Sequence, residues 1–334
     1  MIKKSSNSTL SNEEALEYLL KASHKFLPHT EFIPLKNAYN RILAVDVFSD
    51  INLPGANTSS RDGYCLKVSP KKVFYEQTTL KILHKEIHAG HTINSLKFGE
   101  CAYIATGGIL PEGADSVVPF ESAELNENKT EIILKAPIEK GDFVRPTASE
   151  MKIGEKIAAK FSKINPELAG KIVSGGTFIV EVFKKPIVAI LTSGDEIVLP
   201  WEKPEPWQVR TSNPTVMAML VEKYGGECLD FGIAKDTGDN MLDLFTKAIK
   251  TADVIVTSGG IAMGRHDPVR NMFSKLNIES VFQKYGSHYR PIFYSEYQNK
   301  PIFALPGTPQ GMYRIFEKFV GPYLEEMVER RIEN

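Results

Sequence analysis

Three short apolar runs in the C-terminal half each end in a glycine-bearing polar loop. They read IVAILTSGDE (Ile187 to Glu196), DVIVTSGG (Asp253 to Gly260) and PIFALPGTP (Pro301 to Pro309). A run of β-branched and apolar residues broken by such a loop marks a buried strand leaving a sheet. In open α/β sheets, ligands bind outside the carboxyl ends of the strands. Two of the three ends carry acids nearby. The expectation is one site for a phosphate-bearing ligand and a metal.

The intervening sequence supports this. Helical segments are expected at about 213–224, 240–251 and 268–276, with strands near 227–234, 253–257 and 278–284. Strand–helix alternation of this kind implies a parallel sheet covered on both faces. Segments 291–296 and 301–305 flank Gln298-Asn299 as an antiparallel hairpin, and a last helix runs from about Gln310 to Arg331. Upstream the texture differs. Ser11 with Glu14 forms a capping box before Ala15, Leu16, Leu19 and Leu20. From about Phe48 to Phe143, short alternating stretches punctuated by Gly, Pro and Asn predict an all-β module, a small barrel by expectation. A helix begins at Asn165-Pro166, so the β module reads as an insertion within a helical and extended domain.

Bulk properties exclude several classes. The chain has 334 residues, with 40 Lys plus Arg against 41 Asp plus Glu. That balance gives no reason to expect nucleic acid or an anionic membrane as partner. The N-terminus has no apolar core of a secretory signal, and no run approaches a membrane span. Cys65, Cys101 and Cys228 are far apart, which fits a reducing cytoplasm with buried thiols.

Candidate chemistry sits on the loops. Ser193 and Gly194 let backbone N–H groups face a ligand, and the acids that follow suit Mg²⁺, which prefers oxygen donors. Ser258, Gly259 and Gly260 form an anion cradle whose spacing fits neither GxGxxG nor a P-loop. Asp267 precedes Pro268 and also suits a helix cap. Pro306 and Pro309 stiffen the third loop as a pocket wall. His84, His88 and His91 lack a zinc-site pattern and read as surface residues. The segment Trp201 to Trp207 reads as a stiff loop rather than an aromatic recognition box.

Together these pieces resemble the molybdopterin molybdenumtransferases, the MoeA family, which includes the C-terminal domain of gephyrin. The family's SAMDGYA turn appears as Ser59 to Cys65, SSRDGYC. Its TGAPLPEGADAVVxxE loop appears as TGGILPEGADSVVPFE, Thr106 to Glu121. Its TGDEL, TSGGVSVGxxD and LPGNP motifs appear as SGDEI, TSGGIAMGRHD and LPGTP. The resemblance implies α/β and β multidomain architecture. An interrupted N-terminal domain would take 8–50 plus 142–184, an inserted β module 51–141, and a molybdopterin-binding three-layer α/β domain with a parallel-rich sheet 185–334. It implies insertion of molybdenum from molybdate into adenylylated molybdopterin with release of AMP, aided by Mg²⁺. Asp62, Glu196 and Asp267 would be the catalytic and metal-holding acids. Thr106, Ser193, Gly194, Asp236, Ser258, Gly259, Gly260, His288, Arg290, Pro306 and Pro309 would bind substrate. A cytoplasmic homodimer, with the site between subunits, and contact with other cofactor-biosynthesis proteins are further implications.

Departures from the pattern matter too. Ser60-Arg61 replaces the Ala-Met before the family's Asp, the RxxGED acids are reduced to Glu150, and Thr211-Ser212-Asn213 stands for DSN. The KPGKP lysines are replaced by His288 and Arg290. Against the family pattern, the usual C-terminal β domain is expected to be missing. These leave open an alternative: a paralogue that binds molybdopterin or acts as a scaffold without turnover.

Overall fold

A computed structural model describes residues 11–26, 29–68, 76–91, 93, 95–236, 239–259, 267–279, 282–285 and 291–329. The C-terminal half is built on one six-stranded sheet. Its order runs Glu227–Ala234, Ile187–Ser193, Val254–Ser258, Lys300–Leu305, Pro291–Tyr297 and Phe282–Tyr285. The first four strands are parallel; the last two pair antiparallel. The three runs singled out in the sequence are therefore adjacent strands at the centre of this sheet. Each is buried on both faces, which explains their unbroken apolar character.

Helices Asn213–Lys223, Asn240–Thr251 and Pro268–Lys275 follow three of these strands. The last is capped by Asp267 and begins with proline. The final helical stretch, Pro309–Ile315 then Gly321–Glu329, contains a π-helical turn at Phe316–Val320, where the buried Phe316, Phe319 and Val320 enter the core. The first helix, Asn12–Ser23, has the capping box that its sequence announces. Its packing differs from the expectation. Ala15, Leu19 and Ala22 share a core with Val188, Phe303, Phe316 and Tyr323, so the helix covers one face of the C-terminal sheet. The opposite face is closed by Phe245, Ile249, Val269 and Phe273.

The segments on either side of the β region meet in their own core. Leu35, Leu43 and Val47 pack against Ile164, Ile172, Val180 and Val182. Thr30–Pro34 pairs antiparallel with Ile179–Phe183. Between them lies a second six-stranded sheet in the order Ser116–Pro119, Gly63–Leu66, Glu100–Ile104, Thr79–Ile87, Glu131–Leu134 and Ala123–Leu125. It is not the small barrel expected from the turn spacing. Among the described residues the two outermost strands each have a single neighbour, so the sheet keeps two edges. Short alternating strands give the same sequence signature whether or not a sheet closes.

Candidate active site at the strand ends

The strand Ile187–Ser193 ends in Gly194, whose φ of +147° is a conformation that glycine adopts readily. A Cβ there would lie 2.6 Å from Glu196 Oε2. Gly259, after the neighbouring strand, has φ +94°, and a Cβ would come within 2.6 Å of the Ser193 carbonyl oxygen. Gly307 faces Gly259 in turn, with a Cβ placed 3.3 Å from its Cα. Three loop backbones thus touch where only glycine allows it.

Asn213 locks this contact. Its Nδ2 donates to Ser258 Oγ and to the Gly307 carbonyl, each at 2.7 Å, and the side chain is buried. The first residue of one helix therefore ties the second loop to the third. The sequence places Asn213 at the last position of the family's DSN, but it is not among the expected site residues. The signal was a buried-type polar residue directly before Pro214.

Several polar atoms here are buried with no hydrogen-bond partner among the described residues. They are Thr192 Oγ1, Ser193 Oγ, Thr257 Oγ1, Asn213 Oδ1 and Asp267 Oδ2. Buried polar atoms are costly unless satisfied, and three at the ends of two adjacent strands with two at the starts of the helices beyond suit a polar ligand.

The acids are coupled. The Asp236 backbone N–H donates to Asp195 Oδ1 at 3.1 Å. Burial pushes the Asp236 carboxyl above its ordinary range, and the charges of Asp195 and Glu196 push it the same way. Asp267 is 5% exposed, and burial raises it to about 6. Its Oδ1 accepts the Arg270 N–H at 3.0 Å, which works against that rise. Glu196 and Asp195 are exposed at the loop.

In the β region, Asp62 is held from the side by Thr106. The Thr106 backbone N–H donates to Asp62 Oδ1 at 2.7 Å and its hydroxyl at 3.0 Å. Those two donors, the backbone first, keep this carboxyl below its usual range. Gly107 N–H donates to the Ser59 carbonyl, and Ser59 N–H to that of Gly108, so the two motif loops are zipped together. Gly63 follows, with no room for a side chain: a Cβ would sit 2.0 Å from the Val118 carbonyl oxygen.

Of the expected site residues, Ser193, Gly194, Glu196, Asp236, Ser258, Gly259, Asp267, Pro306 and Pro309 all lie on the strand-end loops or the turns beside them. Pro306 is buried and Pro309 starts the following helix in an exposed position. Asp62 and Thr106 pair with each other elsewhere. Gly260, His288 and Arg290 lie outside the described residues. Among the described residues, no three of His, Cys, Asp and Glu stand close enough to hold a metal ion. A site made of Asp62, Glu196 and Asp267 is therefore not assembled within one chain. His88 is exposed and pairs with Glu86 at 3.1 Å, a surface role as expected. His84 has no described side chain.

The family described as the MoeA N-terminal region (domain I and II) matches residues 10–176. A probable molybdopterin binding domain matches residues 189–326. A molybdopterin molybdenumtransferase from Nostoc sp. is 31% identical over 307 residues, covering 89% of this chain and 69% of that protein. One from Haemophilus influenzae is 26% identical over 302 residues, covering 90% and 74%. The crystal structure of a MoeA protein of molybdopterin biosynthesis from Pyrococcus horikosii superposes with a TM-score of 0.78 at 28% identity, over 97% of this chain and 81% of that one. The chain belongs to the MoeA family of molybdopterin molybdenumtransferases.

Proposed function

We propose that this protein is a transferase of molybdenum cofactor biosynthesis that inserts molybdenum from molybdate into adenylylated molybdopterin and releases AMP. The observation that carries the reading is the convergence of glycine loops, orphaned polar atoms and coupled acids at three adjacent strand ends. The chain's relatives bear the transferase name, so a scaffold without turnover is not favoured.

The loop of Ser193, Gly194, Ser258 and Gly259 receives the phosphate-bearing part of the substrate. Backbone N–H groups and hydroxyls there can donate to phosphate oxygens without a side chain blocking approach. Asn213 holds the second and third loops in register, which fixes where the anhydride lies. Pro306 and Pro309 supply a rigid wall. Asp236 and Asp267, both raised by burial, are acids able to hold or accept a proton beside the scissile bond. Gly260, Arg290 and His288 belong to this reading through the family motifs, as further donors to the substrate phosphate.

The donor set fits Mg²⁺. It is all carboxylate, and Asp236 and Asp267 are raised by burial, with a smaller push from neighbouring carboxylates that a dication would relieve. Glu196 and Asp267 would hold the ion, with Asp62 contributed by a second subunit. Substrate oxygens and water would complete the octahedral shell. Bound there, it would neutralise charge on the anhydride phosphates.

We further propose a homodimer in the cytoplasm, with the interrupted N-terminal part, the inserted β module and the C-terminal α/β part as its three domains. Contacts with other proteins of the same biosynthesis follow from the family alone. Among the described residues no helix is long and apolar enough to cross a membrane.

The direct test is AMP release. Purified protein supplied with adenylylated molybdopterin, Mg²⁺ and molybdate should release AMP in step with molybdenum incorporation. A well-folded preparation that releases none would overturn the reading.

A further inference from the structure

The loop 199–208 begins three residues after Glu196 and ends at Val209, whose N–H donates to the Glu196 carbonyl at 2.8 Å, four residues before Asn213. Ile197–Val198 and Val209–Arg210 pair in parallel and pin its two ends. The chain between them is braced from within. Leu199 N–H donates to Glu202 Oε2 at 2.8 Å, and Glu205 N–H to Gln208 Oε1 at 3.1 Å. The return bonds run from Glu202 N–H to the Leu199 carbonyl and from Gln208 N–H to that of Glu205. Arg210 Nε donates to the Glu202 carbonyl at 2.9 Å. Pro200, Pro204 and Pro206 fix three further φ angles.

On this frame stand the only two tryptophans of the chain. Trp201 is 78% exposed and Trp207 63% exposed. Indole carries a large apolar surface that proteins ordinarily cover. Two indoles held open on a stiff loop, whose ends are rooted in Glu196 and Asn213, suit a flat ligand bound at the same site. The glycine cradle lies after the next strand of the sheet, so this loop flanks the site on the Glu196 side.

The stiff loop is as the sequence leads one to expect, but the exposure of both indoles goes against a loop without a recognition role. We propose that Trp201 and Trp207 form a stacking platform for the purine ring of the nucleotide half of the substrate. This rests on the AMP-releasing reading above. With the pterin phosphate at Ser258 and Gly259 and the anhydride between them and Glu196, the group carried past Glu196 is the adenylyl moiety. An aromatic face binds any base through its π surface, so the platform supplies affinity and position, while the acids and glycines supply chemistry.

The two tryptophans make the test direct, because intrinsic tryptophan emission reports this loop and nothing else. AMP titrated into the wild-type protein should quench emission saturably. By calorimetry, Trp207→Ala and Trp201→Ala should weaken AMP by about tenfold or more, and Trp207→Phe should retain most of the affinity. Unchanged circular dichroism checks that these surface variants fold. Equal AMP affinity in wild type and both alanine variants would overturn the platform, as would AMP binding with no change in emission. Emission that responds to protein concentration and not to AMP would assign the indoles to a protein contact and also overturn it. Failure of the parent reading is separately visible: quenching by AMP in a protein that releases none from adenylylated molybdopterin would leave the platform standing and remove the transferase.

Discussion

Asp267 carries two roles on one side chain. One oxygen caps the helix Pro268–Lys275, while the other is buried with no hydrogen-bond partner among the described residues and has only a long ion pair to Arg270 Nε at 3.9 Å. Its folded-state pKa of about 6 lies above the ordinary 3.8. The native state therefore holds this proton more tightly than the unfolded chain. That contribution is fully present below about pH 4 and is lost as pH rises through about 6. Asp267→Asn keeps an oxygen for the cap and removes the buried charge. In metal-free and substrate-free protein its melting temperature should exceed that of wild type by a few degrees at pH 8, with the gap closing toward pH 4. AMP release should fall by about a hundredfold or more. Equal melting curves at both pH values would mean the carboxylate is solvated. Asp62 is the opposite case, a carboxyl held low by Thr106. Thr106→Val removes the hydroxyl but not the backbone donor, so a carboxyl-carbon NMR titration should show the Asp62 pKa rising part of the way. Asp267 as a cap was legible from its place before Pro268. Its orphaned oxygen was not, because burial depends on side chains far away in sequence.

At the scale of elements, the loops meet through glycines, and the two closest approaches differ in kind. A Cβ on Gly259 would strike a backbone carbonyl, at a φ that disfavours any other residue. Backbone cannot give way cheaply, so Gly259→Ala should cost roughly 2–4 kcal/mol of stability, read as a shift in the urea midpoint. Gly194, at φ +147°, carries backbone strain on substitution too, but its Cβ would meet only the tip of the Glu196 side chain, which can rotate aside. Gly194→Ala should lose less stability and proportionally more activity, because the carboxylate that moves is a proposed ligand. If both variants lose stability equally, Glu196 is fixed more firmly than its exposure suggests. Asn213→Ala severs the tie between two loops and should cost about 1–3 kcal/mol, with KM raised more than kcat is lowered. The strands themselves were legible as apolar runs, since a strand buried on both faces must be apolar throughout. The docking of helix Asn12–Ser23 on the C-terminal sheet was not. An amphipathic stripe states that a face is covered and says nothing about what covers it. The openness of the inserted sheet escaped for a similar reason, as closure depends on the pairing of edge strands that local alternation does not encode.

At the scale of the whole molecule, the proposed acids fall on two parts that one chain does not bring together into a metal-holding group. The surface offers a route to completing them. Thr30–Pro34 and Ile179–Phe183 form a two-stranded sheet in which Pro34 stands opposite Ile179 and Phe32 opposite Glu181. Residues at alternate positions share a face, so Phe32, Pro34 and Ile179 lie together. Phe32 is 72% exposed, and Phe178 beside this strand is 70% exposed. Exposed apolar side chains grouped around Glu181 suit a protein interface, and a two-fold pair would place the same patch on both partners. Light scattering at micromolar concentration should give a dimer, and Phe32→Asp should shift it toward monomer with its circular dichroism unchanged. The functional consequence separates two geometries. If each site takes Asp62 from one subunit and Glu196 from the other, Asp62→Ala and Glu196→Ala proteins are each inactive alone. In a dimer of both, one site collects the two defects and the other is intact. Random exchange makes about half the dimers mixed, each with one working site of two, so the mixture should regain about a quarter of wild-type AMP release. If both acids serve the same site from one chain, mixing restores nothing, and the monomeric Phe32→Asp variant should keep its activity.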